Sequence, residues 1–218
     1  MSKLITVAQA VDMVNDGDTL LVGGFLGVGT PEPIIDGLVE SGKKDLTLVC
    51  NDSGFVDKGV GKLVVTKQFK KIIASHIGTN RETGRQMNEG ETEVVLMPQG
   101  TLAEMIRAKA YGLGGILTPT GLGTEVEEGR DVLTLSGKDY ILEEALGGDV
   151  SLLEAAVADT AGNLYFHGAT QNFNTVMAGA STVTIVYARK VVEVGELDPD
   201  VVKVPGVFVD YIIDGGKE

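Results

Sequence analysis

The 218-residue chain contains no tryptophan, a single cysteine and only two histidines. One cysteine excludes an internal disulfide framework, and two histidines argue against a His-rich metal site. No apolar run approaches the roughly 18 residues that a membrane-spanning helix requires. Positive charge is scarce: Lys and Arg total 18 against 31 Asp and Glu, a formal net charge of −13 with both histidines neutral. Such a chain cannot neutralise many phosphates, which excludes a general nucleic-acid backbone binder. The start, Met1-Ser2-Lys3-Leu4, leads to Asp12 and Asp16 without the apolar core of a secretory signal, so a soluble cytoplasmic protein is expected.

Glycine is abundant instead, at 30 of 218 residues, about twice the usual ~7%. With 22% charged residues and 43% hydrophobic ones, this is not a disorder signature. It indicates a globular α/β chain with many tight turns. A chain of this length buries roughly 70% of its unfolded surface, enough for a core without staples.

The pattern strand, loop, helix recurs up to about residue 110. Val7, Ala10, Val11 and Val14 have helical spacing, and Thr19 to Val22 reads as a buried strand. The chain then passes through Gly23-Gly24-Phe25-Leu26-Gly27-Val28-Gly29. Thr30-Pro31 is expected to cap a helix that stops at Gly42. Leu46 to Cys50, Ile72 to Ser75 and Val94 to Met97 read as further buried strands. Thr101-Leu102-Ala103-Glu104 has the form of a capping box opening a helix through Lys109. Tyr111 to Arg130 is Gly- and Thr-rich. Val132 to Leu135 and Tyr140 to Leu142 flank a turn and predict a hairpin. Strands are expected at 149–157, 183–187 and 207–213, a turn at 159–163 and a short helix at 172–180. No linker, low-complexity segment or internal repeat is apparent. The fold class expected is α/β, with three layers and a mostly parallel sheet flanked by helices. It forms one domain over 1–218, with a small β-rich flap inserted near 115–145.

Several residues are candidates for chemistry. The glycine loop lies between a strand and a helix, where backbone N–H groups can approach an anion; the plain alternative is a tight turn. Its order, Gly24-x-x-Gly27-x-Gly29, does not meet the dinucleotide fingerprint. Gly37 to Lys43 fills most of a P-loop pattern, but Lys44 stands where Ser or Thr is required. Asn51, Asp52, His76, Gln99 and Gly100 follow strands, at the edge where open α/β sheets bind ligands. Most of these are also ordinary turn residues, Gln99 least so. Cys50 as a nucleophile, with His76 or His167 as base, is outweighed by its reading as a small buried hydrophobe. Lys67, Lys70, Lys71, Arg81, Arg85, Arg107 and Lys109 form either an anion patch or, more simply, solvated helix faces. Glu143-Glu144 lacks any evident partner acid.

The stretch Asp16-Gly17-Asp18-Thr19-Leu20-Leu21-Val22-Gly23-Gly24-Phe25-Leu26-Gly27-Val28-Gly29-Thr30-Pro31 closely resembles the signature of the A (α) subunits of family I coenzyme A transferases. Pro98 to Glu104, Thr118 to Thr124, Asp159 to Asn163 and Asn172-Phe173-Asn174 extend the resemblance along nearly the whole chain. It looks most like the acetate- and butyrate:acetoacetate-type α subunits. The resemblance implies a coenzyme A transferase fold of the NagB-RpiA-like type. It also implies transfer of coenzyme A from a short-chain acyl-CoA to a free carboxylate by ping-pong chemistry. The nucleophilic glutamate of that chemistry lies in a Ser-Glu-Asn-Gly motif of the β subunit, and no such motif occurs here.

No catalytic residue is therefore expected in this chain, and no metal. By resemblance, Gly23, Gly24, Phe25, Gly27 and Gly29 close over the reacting end, with Gly24, Gly27 and Gly29 against coenzyme A. Asn51 and Gln99, followed by Gly100, line the carboxylate pocket. Coenzyme A is implied as a co-substrate, with no tightly bound cofactor. The implied partners are a β subunit, in an α2β2 assembly, and the two substrates. Two departures stand out: Asp52 replaces a second Asn, which would repel a carboxylate unless paired, and Lys109-Ala110-Tyr111 replaces a Gly-rich texture. A non-catalytic nucleotide- or sugar-phosphate-binding module on a similar sheet is the alternative. A sugar-phosphate isomerase would need an acid/base set that this chain does not offer.

Overall fold

The computed structural model describes residues 2–217. Its strands are β1 (Thr19–Val22), β2 (Leu46–Asp52), β3 (Phe69–His76), β4 (Glu93–Leu96), β5 (Gly115–Thr118), β6 (Val132–Leu135), β7 (Lys138–Glu144), β8 (Gly148–Ala155), β9 (Val157–Asp159), β10 (Leu164–Tyr165), β11 (Ser181–Ala188), β12 (Val191–Val192) and β13 (Tyr211–Asp214). The α-helices are α1 (Val7–Asp12), α2 (Glu32–Ser41), α3 (Gly61–Val65), α4 (Arg81–Asn88), α5 (Gln99–Ala110) and α6 (Asn174–Met177).

Seven strands form one sheet in the order β13-β11-β8-β1-β2-β3-β4, and every pairing in it is parallel. Continuous apolar runs make this possible: all of β2 is buried, as is most of β1 and β8, as strands covered on both faces must be. The chain winds outward from β1 through β2, β3 and β4, then returns to place β8 on the other side of β1. The order of winding thus reverses between β1 and β8, and a ligand crevice is expected at the carboxyl ends of the strands there.

Alternation along each strand divides the core in two. Leu20, Val22, Leu46, Leu48 and Cys50 pack with Ile34, Ile35, Leu38 and Leu63 under α2 and α3. Leu21 and Val49 pack with Leu102, Ile106, Val176 and Met177 under α5 and α6. The outcome is the expected three-layer α/β architecture. A small antiparallel sheet, β5-β7-β6, stands apart from the main one. Its β6–β7 hairpin turns on Ser136 and Gly137, both with positive φ (51° and 75°), the geometry favoured in two-residue hairpin loops. Among the described residues, no helix is long and apolar enough to cross a membrane.

Several local expectations change. Thr30 does not cap α2: its hydroxyl donates to the Gly23 carbonyl at 3.1 Å, and Pro31 occupies the N-cap. The predicted capping box at Thr101 is absent because α5 begins earlier, after Pro98, whose carbonyl accepts the Leu102 N–H. Thr101 Oγ1 is consequently buried without a partner, and Glu104 pairs with Arg107. The expected helix at 172–180 shrinks to α6, because Asn172 is occupied elsewhere and Gly179 takes a positive φ. Residues 206–208 form a 3-10 turn ahead of β13 rather than the start of a strand. The helix α4, opened by Asn80 accepting from the Glu82 and Thr83 N–H groups, was signalled in the sequence only by that Asn cap.

Candidate functional site

The glycine loop leaves β1 at the point where the winding reverses. It folds back as a tight hairpin, with Phe25 and Val28 exchanging backbone hydrogen bonds at 3.0 and 2.9 Å. Gly24 has φ +130°, and a Cβ there would lie 2.0 Å from Thr30 Oγ1. Glycine is therefore required by both backbone and space. The loop is held from three sides. Asp52 Oδ2 accepts the Leu26 N–H at 3.0 Å. Asn172 Oδ1 accepts the Gly24 N–H at 3.1 Å, while its Nδ2 donates to the Val28 carbonyl at 3.0 Å. Asn174 Nδ2 donates to the Gly29 carbonyl at 2.9 Å. Of the three glycines expected against coenzyme A, Gly24 thus spends its N–H within the chain. Gly27 and Gly29 N–H make no hydrogen bond among the described residues.

Beside this loop, Asn51 is the last but one residue of β2 and lies on the α5–α6 face, one residue past Cys50 on the opposite face. The Asn51 Oδ1 accepts from Gln99 Nε2 at 2.8 Å and from the Ser75 hydroxyl at 3.2 Å. Gln99 opens α5, so the pair joins a strand end to a helix start. Phe25, Asn51, Gln99, Ala103, Arg107, Asn172, Phe173 and Val176 line one open cleft of about 490 Å3. Gln99, Ala103 and Arg107 recur every fourth residue and so share one face of α5. Gly100 borders a neighbouring groove of about 480 Å3 with Thr101, Glu104 and Thr118. Another hollow, of about 540 Å3, lies at the opposite edge of the sheet among Thr19, Gly148 and Ser181, the wrong edge for a site in an α/β sheet.

The other candidates disperse. Asp52 does not face the cleft: strand alternation turns it to the α2–α3 side, where it is buried and accepts the Gly54 N–H at 2.9 Å as well as that of Leu26. The Asp52 carboxylate is thus turned away from the cleft and paired with two backbone N–H groups. Cys50 lies on the same side, and burial together with the nearby Asp52 raises its thiol well above the ordinary value, which leaves it protonated and inert. His76 and His167 are exposed and absent from the cleft. Glu143 is buried in the flap with Arg130 Nε 2.9 Å away. Lys67, Lys71 and Arg85 pair with Glu91, Glu93 and the Glu82–Glu89–Glu91 cluster, so they make no free anion patch. Arg85 bonding holds Glu82 and Glu91 down to about 2. No group of three His, Cys, Asp or Glu among the described residues could hold a metal ion.

Sequence reasoning passed over three features. Asn172 and Asn174 entered as part of a resemblance and of the expected helix at 172–180, yet they grip the glycine loop. The other is an echo of that loop: Gly54-Phe55-Val56-Asp57-Lys58-Gly59 repeats the Gly-Phe-x-x-x-Gly spacing after β2, and Phe55 bridges Lys58 as Phe25 bridges Val28. That spacing was visible in the sequence.

The chain is similar to known proteins along nearly its whole length. The family pattern described as Coenzyme A transferase matches residues 4–215. The acetate CoA-transferase subunit alpha of Escherichia coli (strain K12) is 51% identical over 212 residues, covering 97% of this chain and 96% of the relative. The acetoacetyl-CoA:acetate/butyrate CoA transferase alpha subunit of Clostridium acetobutylicum is 44% identical, covering 97% of both. Among solved structures, an acyl-CoA transferase from E. coli O157:H7, in a thioester complex with CoA, superposes with a TM-score of 0.88 at 21% identity. All of this chain is covered but only 48% of that one, so the chain spans about half the length of that structure.

Proposed function

The chain belongs to the coenzyme A transferase family, and from that premise we propose that it is the acid-binding half of a two-subunit enzyme. Its substrates on this reading are a short-chain acyl-CoA (acetyl, butyryl or acetoacetyl) and a free carboxylate such as acetate or acetoacetate. The partner is a β subunit, in an α2β2 assembly in the cytoplasm. The observation that carries the reading is the Asn51–Gln99 amide pair, set beside the glycine loop in the cleft where the sheet reverses.

The chemistry follows from what this chain offers and what it lacks. It contains no Ser-Glu-Asn-Gly motif, so the nucleophilic carboxylate comes from the partner. That glutamate attacks the thioester carbonyl, expelling the coenzyme A thiolate and leaving an acyl-glutamyl anhydride. The thiolate then attacks the glutamyl carbonyl, giving glutamyl-CoA and releasing the acid. The acceptor acid reverses these steps. Asn51 Nδ2 and the second Gln99 Nε2 proton are free to hold a carboxylate. Gly23, Phe25, Gly27 and Gly29 shape the wall where charge develops on oxygen, and the Gly27 and Gly29 N–H groups are its available donors. Gly100 extends the α5 start beside Gln99.

The test is a tagged pull-down from the native host, followed by coenzyme A exchange between acetyl-CoA and acetoacetate. A partner of similar size carrying the missing glutamate motif, with exchange only by the pair, is the expected result. Exchange by this chain alone would overturn the placement of the nucleophile.

A further inference from the structure

We propose that Asn172 is a positioning residue for the transfer step: it clamps the glycine loop at the edge of the cleft and so sets the loop's place against the reacting thioester. The inference rests on the transferase reading above.

The loop is gripped at two levels by asparagines two residues apart. At its base, the fully buried Asn174 donates to the Gly29 carbonyl and accepts the Glu154 N–H at 3.1 Å. Gly23 passes so close that a Cβ there would meet Asn174 Oδ1 at 1.9 Å. This lower grip is part of the core. The upper grip is different. Asn172 is only half-buried, and it lines the cleft together with Phe25, Asn51 and Gln99. Its Oδ1 accepts from Gly24 and Phe173 N–H groups, at 3.1 and 2.6 Å. Its Nδ2 donates to Val28 and Ala169 carbonyls, at 3.0 and 2.8 Å. One planar amide thus spans both arms of the hairpin, Gly24 on the way out and Val28 on the way back. Asp52 holds only Leu26, on the far side. Without Asn172 the cleft side of the loop loses both its side-chain anchors, and Phe25, which lines the cleft, loses its support from them. The acid pocket does not depend on this amide, because Asn51 and Gln99 are joined to each other and to Ser75. Turnover should therefore suffer more than acid binding.

Steady-state kinetics and melting of the α–β pair test this with Asn172→Ala and Asn172→Asp. Asp keeps the acceptor for Gly24 and loses the donor to Val28. Expected are a fall in kcat of roughly 10- to 100-fold for Asn172→Ala, the scale of a misplaced transition-state donor, and a smaller fall for Asn172→Asp. KM for the free acid should stay within about threefold, and melting near that of the wild type. A kcat within twofold of wild type in Asn172→Ala overturns the inference. So does a loss of folding in both variants, or a joint loss of melting temperature, kcat and acid KM, since each would make the residue merely structural. The unmodified pair is the control: if it transfers no coenzyme A, the functional reading fails, whereas an active pair with an undiminished Asn172→Ala variant strikes this inference alone.

Discussion

The Gln99 side-chain amide donates to the Asn51 side-chain carbonyl at 2.8 Å, tying the first turn of α5 to the last but one residue of β2. The bond orients Asn51 so that its own Nδ2 remains free, and it leaves one Gln99 proton beside it. Two amide donors side by side suit the two oxygens of a carboxylate.

Removing one of them should be felt in binding. Gln99→Ala is expected to raise the KM for the free acid about tenfold, the cost of roughly one hydrogen bond to a charged group. Steady-state kinetics of the pair with varied acid checks this. An unchanged KM would remove Gln99 from the acid pocket.

Gly24→Ala should damage both stability and activity. The added Cβ meets Thr30 Oγ1 at 2.0 Å on a backbone with φ +130°, which costs about 1–3 kcal/mol through strain and overpacking. Gly84→Ala in α4 meets nothing within 4 Å and is the control, expected to be neutral or slightly stabilising. Thermal melts of the two variants give the comparison, and equal melting temperatures would contradict the crowding.

Cys50→Ala is expected to leave turnover intact, with a stability cost of about 1 kcal/mol for the emptied space. The native thiol, raised by burial and by Asp52, should resist alkylation at mildly alkaline pH until the protein is unfolded. Inactivation in step with labelling of the folded protein would bring Cys50 back as a functional group.

Glu154 offers a pH signature. Burial raises its carboxyl above the ordinary 4.5, against the opposing pull of Arg189, whose Nε it accepts at 2.6 Å. A raised folded-state value means that the fold holds the proton more tightly than the unfolded chain. Ionisation therefore costs stability as pH rises through the folded value. Glu154→Gln removes that cost, so the variant should be the more stable at neutral pH, and its advantage should shrink as pH falls through the folded value and be gone below the unfolded one. Denaturant melts at acidic and neutral pH read the difference; an advantage that grows toward acid would reverse the sign.

Much of the architecture was legible in residues with a local cause. The apolar run Leu46 to Cys50 could only be a strand covered on both faces, and Ser136-Gly137 could hardly avoid a turn. The Gly-Gly-Phe stretch with its spaced glycines marked both the loop and the family. Caps were less legible: Thr30 and Thr101 have the right chemistry for helix starts, but neighbouring Pro31 and Pro98 take the N-caps and leave one hydroxyl to the Gly23 carbonyl and the other without a partner.

What the sequence alone determined is most of the local conformations and the absence of a Ser-Glu-Asn-Gly motif, because turn, strand and motif signals reside in adjacent residues. The tertiary structure decided which polar groups meet. Asn51 and Asp52 are neighbours in the chain, yet the two-residue period of a strand sends one into the cleft and the other under the opposite layer. Asn172 reaches Gly24 and Val28 across 148 and 144 residues. No pattern along the chain encodes that contact; it exists because a parallel sheet winding both ways from β1 brings α6 back beside the first loop.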